Sequence, residues 1–65
     1  MSNYANANGK LTLAEMRVYK EALTPKSRKE IASALNVSKR TVMFHLSHIY
    51  RKLGCADRLE LIYRF

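Results

Sequence analysis

The sequence predicts an all-α domain of four short helices. After residue 10, the 65-residue chain contains one glycine and one proline, which favours helices over a β-meander. Apolar residues recur at intervals of three and four positions, the spacing of a helix face. At three places a Ser, Thr or Asp is followed three positions later by Glu, the capping-box pattern of helix starts. We therefore expect helices at about residues 13–23, 28–35, 39–53 and 57–65.

The first ten residues differ from the rest of the chain. They are mostly Asn, Ala, Ser and Gly and show no periodic apolar pattern. Because such a segment has little apolar surface to bury, we expect a flexible tail over residues 1–10. One domain is then expected over residues 11–65.

The first two helices have clear start signals. Thr12 with Glu15, and Ser27 with Glu30, form the two capping boxes, and Pro25 ends the first helix. The predicted buried positions of the first helix are Met16, Tyr19 and Leu23, with Val18 and Ala22 on its flank. Those of the second helix are Ile31, Ala32 and Leu35.

A short corner is predicted between the second and third helices. Asn36 tolerates the left-handed backbone that turns the chain, Val37 is expected to fill the corner, and Ser38 caps the third helix. At about 100° per residue, this helix has two distinct faces. The apolar stripe consists of Val42, Leu46, Ile49 and Leu53. On the opposite side lie Arg40, Phe44, Ser47 and Arg51, bordered by Met43 and His48.

The final helix is unusually apolar. It follows Gly54, which ends the third helix, and begins at an Asp57–Glu60 capping box. Its apolar residues are Leu59, Leu61, Ile62, Tyr63 and Phe65. A lone surface helix would not be apolar on all sides, so we expect an intermolecular contact here.

Composition restricts the function. The formal charge of +7, from 12 Lys and Arg against 5 Asp and Glu, indicates nucleic acid, an anionic membrane surface or an acidic protein as partner. A single cysteine excludes an internal disulfide and a multi-cysteine zinc site. No apolar run approaches the roughly 20 residues that span a membrane. We expect a cytoplasmic, nucleoid-associated protein.

No catalytic constellation is found in the sequence. There is no Gly-rich phosphate loop and no convergent Ser, His and Asp group, so we expect neither an enzyme nor a cofactor. His45 and His48 lie three positions apart without a third ligand, so no metal site is expected. Cys55 is expected to be a small buried hydrophobe, with a thiol switch or a dimer cross-link as alternatives.

Two helices joined by a corner of three or four residues, the second with cations on its outer face, indicate a helix-turn-helix. The second helix of such a pair lies in the DNA major groove. Three stretches of the chain fit this layout together: Leu11-Thr12-x-x-Glu15, Ser27-x-Lys29-Glu30-Ile31-Ala32-x-x-Leu35-x-Val37-Ser38-x-x-Thr41-Val42-x-x-His45-x-x-x-Ile49-x-x-Lys52-Leu53-Gly54, and Arg58-x-Glu60-Leu61. They resemble the LuxR-type helix-turn-helix domain of the GerE and NarL/FixJ regulators.

The resemblance implies a four-helix DNA-binding domain that dimerises through its last helix. It implies DNA-backbone contacts by Lys29, Thr41, His45 and Lys52, to which the cap and the charge pattern add Ser38 and Lys39. It implies base contacts at Met43, Phe44 and Ser47, to which the outer face adds Arg40 and Arg51. The expected dimer interface consists of Leu59, Ile62, Tyr63 and Phe65, with core packing as the alternative for part of this set.

The base-contacting positions depart from the family pattern. Lysine is the most frequent residue of the family at the position of Met43, and neither Met nor Phe can form bidentate hydrogen bonds to a base. Met43 and Phe44 then contact either thymine methyl groups or another protein.

We expect a small, stand-alone, sequence-specific regulator of bacterial or phage origin that binds double-stranded DNA as a homodimer. The alternative is an anti-activator or co-regulator that binds a full-length LuxR-type or other transcription factor through its apolar surface. RNA polymerase is a further possible partner.

Overall fold

The computed structural model describes residues 11–65; the segment predicted to be a flexible tail, residues 1–10, lies outside them. The described part forms four helices, α1 (Leu13–Ala22), α2 (Arg28–Leu35), α3 (Lys39–Leu53) and α4 (Arg58–Arg64), and contains no strand. The predicted all-α class with four helices is confirmed. Leu23, Asp57 and Phe65, predicted as helical, are cap residues.

Side-chain caps begin all four helices. Thr12 and Ser27 form reciprocal boxes, in which the Glu three positions later accepts a hydrogen bond from the backbone N–H of the cap residue. Asp57 accepts from the Glu60 N–H, but Glu60 Oε1 accepts from Ala56 N at 2.7 Å. The third predicted capping box is therefore altered, because the Glu60 side chain accepts from the N–H of Ala56 and not from that of Asp57. This bond still satisfies a free donor at the helix start.

Two left-handed residues end α2 and α3. Asn36 has φ 58° and Gly54 has φ 70°. The following residue then donates back five positions, from Val37 N to Ala32 O at 2.9 Å and from Cys55 N to Tyr50 O at 2.8 Å. These bonds satisfy carbonyls that the helix leaves free, and they reverse the chain within a few residues.

Helix α3 is central to the fold and contacts each of the other three helices. Its predicted apolar stripe of Val42, Leu46, Ile49 and Leu53 is buried. The rest of the core comes from the other helices and their flanks: Leu11, Val18, Tyr19, Ala22, Ile31, Ala32, Cys55 and Leu61.

The predicted buried face of α1 is slightly wrong. Val18, Tyr19 and Ala22 are buried, whereas Met16 and Leu23, predicted as core positions, are only partly buried. The helix is rotated so that Glu15, which is 5% exposed, faces α3.

Two smaller corrections concern α2 and its corner. Leu35 is partly buried, and Val37 is 41% exposed and does not fill the corner.

Glu15 links α1 to α3. Its Oε1 accepts from Thr12 N at 2.9 Å and from Lys52 Nζ at 2.6 Å. Burial raises the pKa of this carboxyl, but the hydrogen bond from Lys52, the hydrogen bond from Thr12 and the charges of Lys52 and His48 outweigh burial and lower the pKa. One carboxylate thus caps a helix and holds the far end of α3 against it.

Arg58 provides a second long-range link, between α4 and α1. Its Nε donates to Ala22 O at 2.9 Å, and its Nη2 donates to Thr24 O at 2.7 Å. Both carbonyls lie at the end of α1, where a helix lacks internal donors and favours positive charge. The start of α4 is therefore fixed against the end of α1.

We predict that Glu15→Gln weakens the acid dependence of stability. Gln can still cap Thr12, but it cannot pair as an anion with Lys52. In the parent protein the folded-state pKa lies below the unfolded value of about 4.3, so the stabilisation is complete above that value and is lost as pH falls through the folded-state pKa. Since Lys52 is partly exposed, the loss at neutral pH should be about 1 kcal/mol.

Urea unfolding at a series of pH values measures this difference. Glu21→Gln is the matched control, because Glu21 forms a more exposed pair with Lys26, which lies in the connection between α1 and α2. The Glu15 and Glu21 variants should differ most above pH 5 and converge in acid. Equal pH profiles for the two variants would contradict a special role of Glu15.

Candidate nucleic-acid interface

Helices α2 and α3 form a helix-turn-helix. Three residues, Asn36, Val37 and Ser38, connect them, and the left-handed Asn36 provides the turn. Ser38 Oγ accepts from Thr41 N at 3.1 Å and lies 2.9 Å from Thr41 Oγ1. The cap thus fixes the start of α3, the end that enters the major groove first in proteins of this architecture.

The predicted base-contacting residues all lie on the outward face of α3. All of them are exposed: Arg40, Met43, Phe44, Ser47 and Arg51. Lys39, Arg40, Met43, Phe44, Ser47 and His48 line one shallow depression on this face. Helix α3 contains no Asp or Glu. Its free surface therefore carries cationic, apolar and neutral polar side chains without any negative charge, which suits a polyanionic partner.

Phe44 protrudes from this face as part of an aromatic cluster. Its side chain is 60% exposed. The ring centroid lies 4.5 Å from that of His48 with a tilt of 46°, and 5.6 Å from that of His45 with an interplanar angle of 67°. These contacts hold the ring on the helix surface while leaving its other side free.

The predicted backbone-contacting residues differ in how accessible they are to a phosphate. Lys29 at the start of α2 and Lys39 at the start of α3 are exposed, whereas Thr41 and His45 are only partly exposed. Lys52 is different because its ammonium group is already paired with Glu15. A phosphate contact by Lys52 would compete with this intramolecular pair, which sequence spacing alone did not reveal.

A second concavity continues from the outward face toward α4. It is lined by Arg28, Met43, Leu46, Ser47, Tyr50, Arg51, Cys55 and Ala56. Tyr50 Oη is buried, and within the described part of the chain it makes no hydrogen bond of standard geometry. Burial raises the pKa of this phenol, and the nearby charges of Arg28 and Arg58 offset the effect only in part.

The single cysteine is buried beside this concavity. Cys55 is 8% exposed, and Arg64 Nη1 lies 3.8 Å from its Sγ. Burial raises the pKa of the thiol more than the charge of Arg64 lowers it. A buried thiol with a raised pKa is a poor nucleophile, which disfavours both the thiol switch and the cross-link.

Helix α4 divides its apolar residues between two sides. Leu61 is buried in the core, while Leu59, Ile62 and Tyr63 are 71%, 42% and 92% exposed. Phe65, predicted to lie with them at a dimer interface, is half-buried, and its ring lies edge-on to Tyr19 at 6.4 Å between centroids. Phe65 therefore packs against the core, and the free apolar face of α4 consists of the other three residues.

The sequence did not predict two contacts that are important for the fold. These are the ion pair of Glu15 with Lys52 and the capping of α1 by Arg58. Arg64 also forms an unforeseen contact, since its Nη1 donates to Gly54 O at 2.8 Å. No group of three His, Cys, Asp or Glu side chains suited to a metal occurs among residues 11–65. In the same residues no helix is long and apolar enough to cross a membrane.

A compact helix-turn-helix with an exposed, cationic second helix defines the class of DNA-binding domains found in transcription regulators. The model of the bacterial regulatory proteins of the luxR family matches residues 9–65. The chain belongs to this family of transcription regulators.

Several regulators are similar to the chain. A Mycobacterium bovis protein named as an HTH-type transcriptional regulator is 46% identical over 54 residues, which are 83% of this chain and 6% of that protein. The transcriptional activator VanR of Vibrio anguillarum is 42% identical over 80% of this chain and 22% of its own length. The spore germination protein GerE of Bacillus subtilis is 38% identical over 80% of this chain and 70% of its own length. No solved structure matches the chain significantly.

Proposed function

We propose that the protein is a sequence-specific regulator that binds duplex DNA as a homodimer, with α3 in the major groove. The observation that carries the proposal is the outward face of α3, where Arg40, Ser47 and Arg51 are exposed beside Met43 and Phe44 and no carboxylate is present. Arg can donate two hydrogen bonds to guanine, and Ser can bond to several base edges. A cytoplasmic, nucleoid-associated location goes with this proposal.

Phosphate contacts are assigned to the residues that surround this face. Lys29 and Lys39 are exposed at the starts of α2 and α3, where helix N-termini favour anions. Ser38, Thr41 and His45 lie beside them, within or next to the first two turns of α3. Lys52 is already paired with Glu15, so a phosphate contact would share or replace that ion pair.

The dimer is assigned to the exposed side of α4. Leu59, Ile62 and Tyr63 would leave apolar surface in water in a monomer, and pairing two copies of the same helix would cover it. A two-fold dimer places its two recognition helices in successive major grooves about 10 bp apart.

A second candidate function is suggested by Met43 and Phe44, which are 48% and 60% exposed. As an anti-activator or co-regulator, the protein would use this apolar pair and α4 to bind another transcription factor or RNA polymerase. Native mass spectrometry with candidate regulators would detect such a heteromeric complex.

Selection of bound duplexes from a random library at about 0.15 M salt tests the leading proposal, because non-specific binding is weakened there. We expect a two-fold symmetric motif with half-sites about 10 bp apart. Tyr63→Arg, which adds charge to the free face of α4, should select a single half-site. Absence of enrichment with the parent protein would reject sequence-specific binding and favour the co-regulator. A symmetric motif retained by Tyr63→Arg would reject the assigned interface.

We also predict that Lys29→Ala weakens binding to all sequences to the same extent. If each protomer neutralises about four phosphates, the dimer should show a slope of log K against log salt near −7. Lys29→Ala should reduce its magnitude by about 2, one contact per protomer. Arg17→Ala, which removes the same charge from α1, is the control and should leave the slope nearly unchanged. Equal slopes for the parent and the Lys29 variant would remove Lys29 from the phosphate contacts.

A further inference from the structure

An apolar pair lies in the middle of the cationic outward face of α3. Met43 and Phe44 are exposed, and the residues that share their depression are Lys39, Arg40, Ser47 and His48. Single exposed apolar side chains are common, but two adjacent large ones on one face form a patch of the kind that occurs at contact sites. Since the surrounding charges are positive and α3 has no Asp or Glu, an anionic partner fits this face better than an ordinary protein surface.

The apolar chemistry of Met43 and Phe44 limits what they can recognise on DNA. Neither side chain can donate or accept a strong hydrogen bond, so they cannot distinguish bases by donors and acceptors. The major groove presents one apolar group, the C5-methyl of thymine, which Phe can contact. The same methyl occurs on 5-methylcytosine, at the same ring position.

The aromatic cluster makes Phe44 suitable for such a contact. His48 lies against one side of its ring at 4.5 Å, and His45 lies at 5.6 Å in an edge arrangement. With its position restricted before binding, the ring loses less conformational freedom when it meets a ligand. The exposed hydroxyl of Ser47 and the guanidinium of Arg40 remain available for hydrogen bonds on either side.

We propose that Phe44, with Met43 beside it, recognises the C5-methyl group of pyrimidines in the major groove. This inference rests on the proposed function and specifies its ligand, namely thymine or 5-methylcytosine rather than uracil or cytosine at the contacted position. Specificity at that position then depends on one buried methyl group. We expect a discrimination of about fourfold per methyl, which is smaller than that of a bidentate hydrogen-bonded pair.

Replacing thymine by deoxyuridine tests the proposal, because the change removes the methyl group and leaves every hydrogen-bonding group in place. The selected duplex is synthesised with deoxyuridine at one thymine at a time, and affinities are measured by fluorescence anisotropy. With the parent protein, at least one replacement should weaken binding about fourfold. In Phe44→Ala and in Met43→Ala, the thymine and deoxyuridine duplexes should bind with equal affinity. Equal affinity of the parent protein for all thymine and deoxyuridine duplexes would overturn the proposal.

A second arm restores the methyl on another base. At the sensitive position, 5-methylcytosine paired with guanine should bind about fourfold more tightly than cytosine paired with guanine. Equal binding of these two duplexes would contradict recognition of the methyl group. Two further variants serve as controls. Phe44→Leu keeps an apolar side chain and should retain part of the effect, and Leu13→Ala removes a 72% exposed leucine from α1 and should retain all of it.

The outcomes separate this proposal from the proposed function. If the library yields no enriched duplex, sequence-specific binding itself fails. If duplexes are enriched but deoxyuridine has no effect, the regulator stands and methyl recognition fails. If Phe44→Ala lowers affinity while the effect of the methyl persists in both alanine variants, Phe44 and Met43 contact something other than the methyl. Circular dichroism verifies that each variant remains folded.

Discussion

The packing of one apolar stripe on α3 is the constraint on which the rest of the structure depends. Burying Val42 and Leu46 against the other helices fixes the rotation of α3 about its axis. At about 100° per residue, this rotation necessarily places Phe44 and Ser47 on the opposite side. The proposed DNA-contacting face is thus a geometric consequence of the core.

Two polar links hold α1 against α3 and α4. Glu15 joins the start of α1 to Lys52 near the end of α3, and Arg58 joins the start of α4 to two carbonyls at the end of α1. In a domain of about 60 residues the apolar core is small, so each directional bond contributes a noticeable share of the stability. The arrangement of Arg58 also leaves Leu59 and Tyr63 facing outward, where the proposed dimer forms.

The sequence predicted what depends on neighbours along the chain. Caps, helix number and the two faces of α3 follow from spacing and from local hydrogen bonds, as Ser27 and Val42 illustrate. It did not predict features that require knowing which helices meet. Lys52 looked like a free cation because its partner is 37 positions away. Spacing could not decide between the core and the dimer interface for Phe65, because its contact with Tyr19 joins two segments distant in the chain.

Intermolecular nuclear Overhauser effects between the isotope-labelled protein and a selected duplex would show which face of α3 meets the DNA. We expect contacts from Arg40, Phe44 and Ser47 to base protons of the major groove, with none from the buried stripe of α3. Contacts confined to the minor groove, or made through α1 instead of α3, would contradict it.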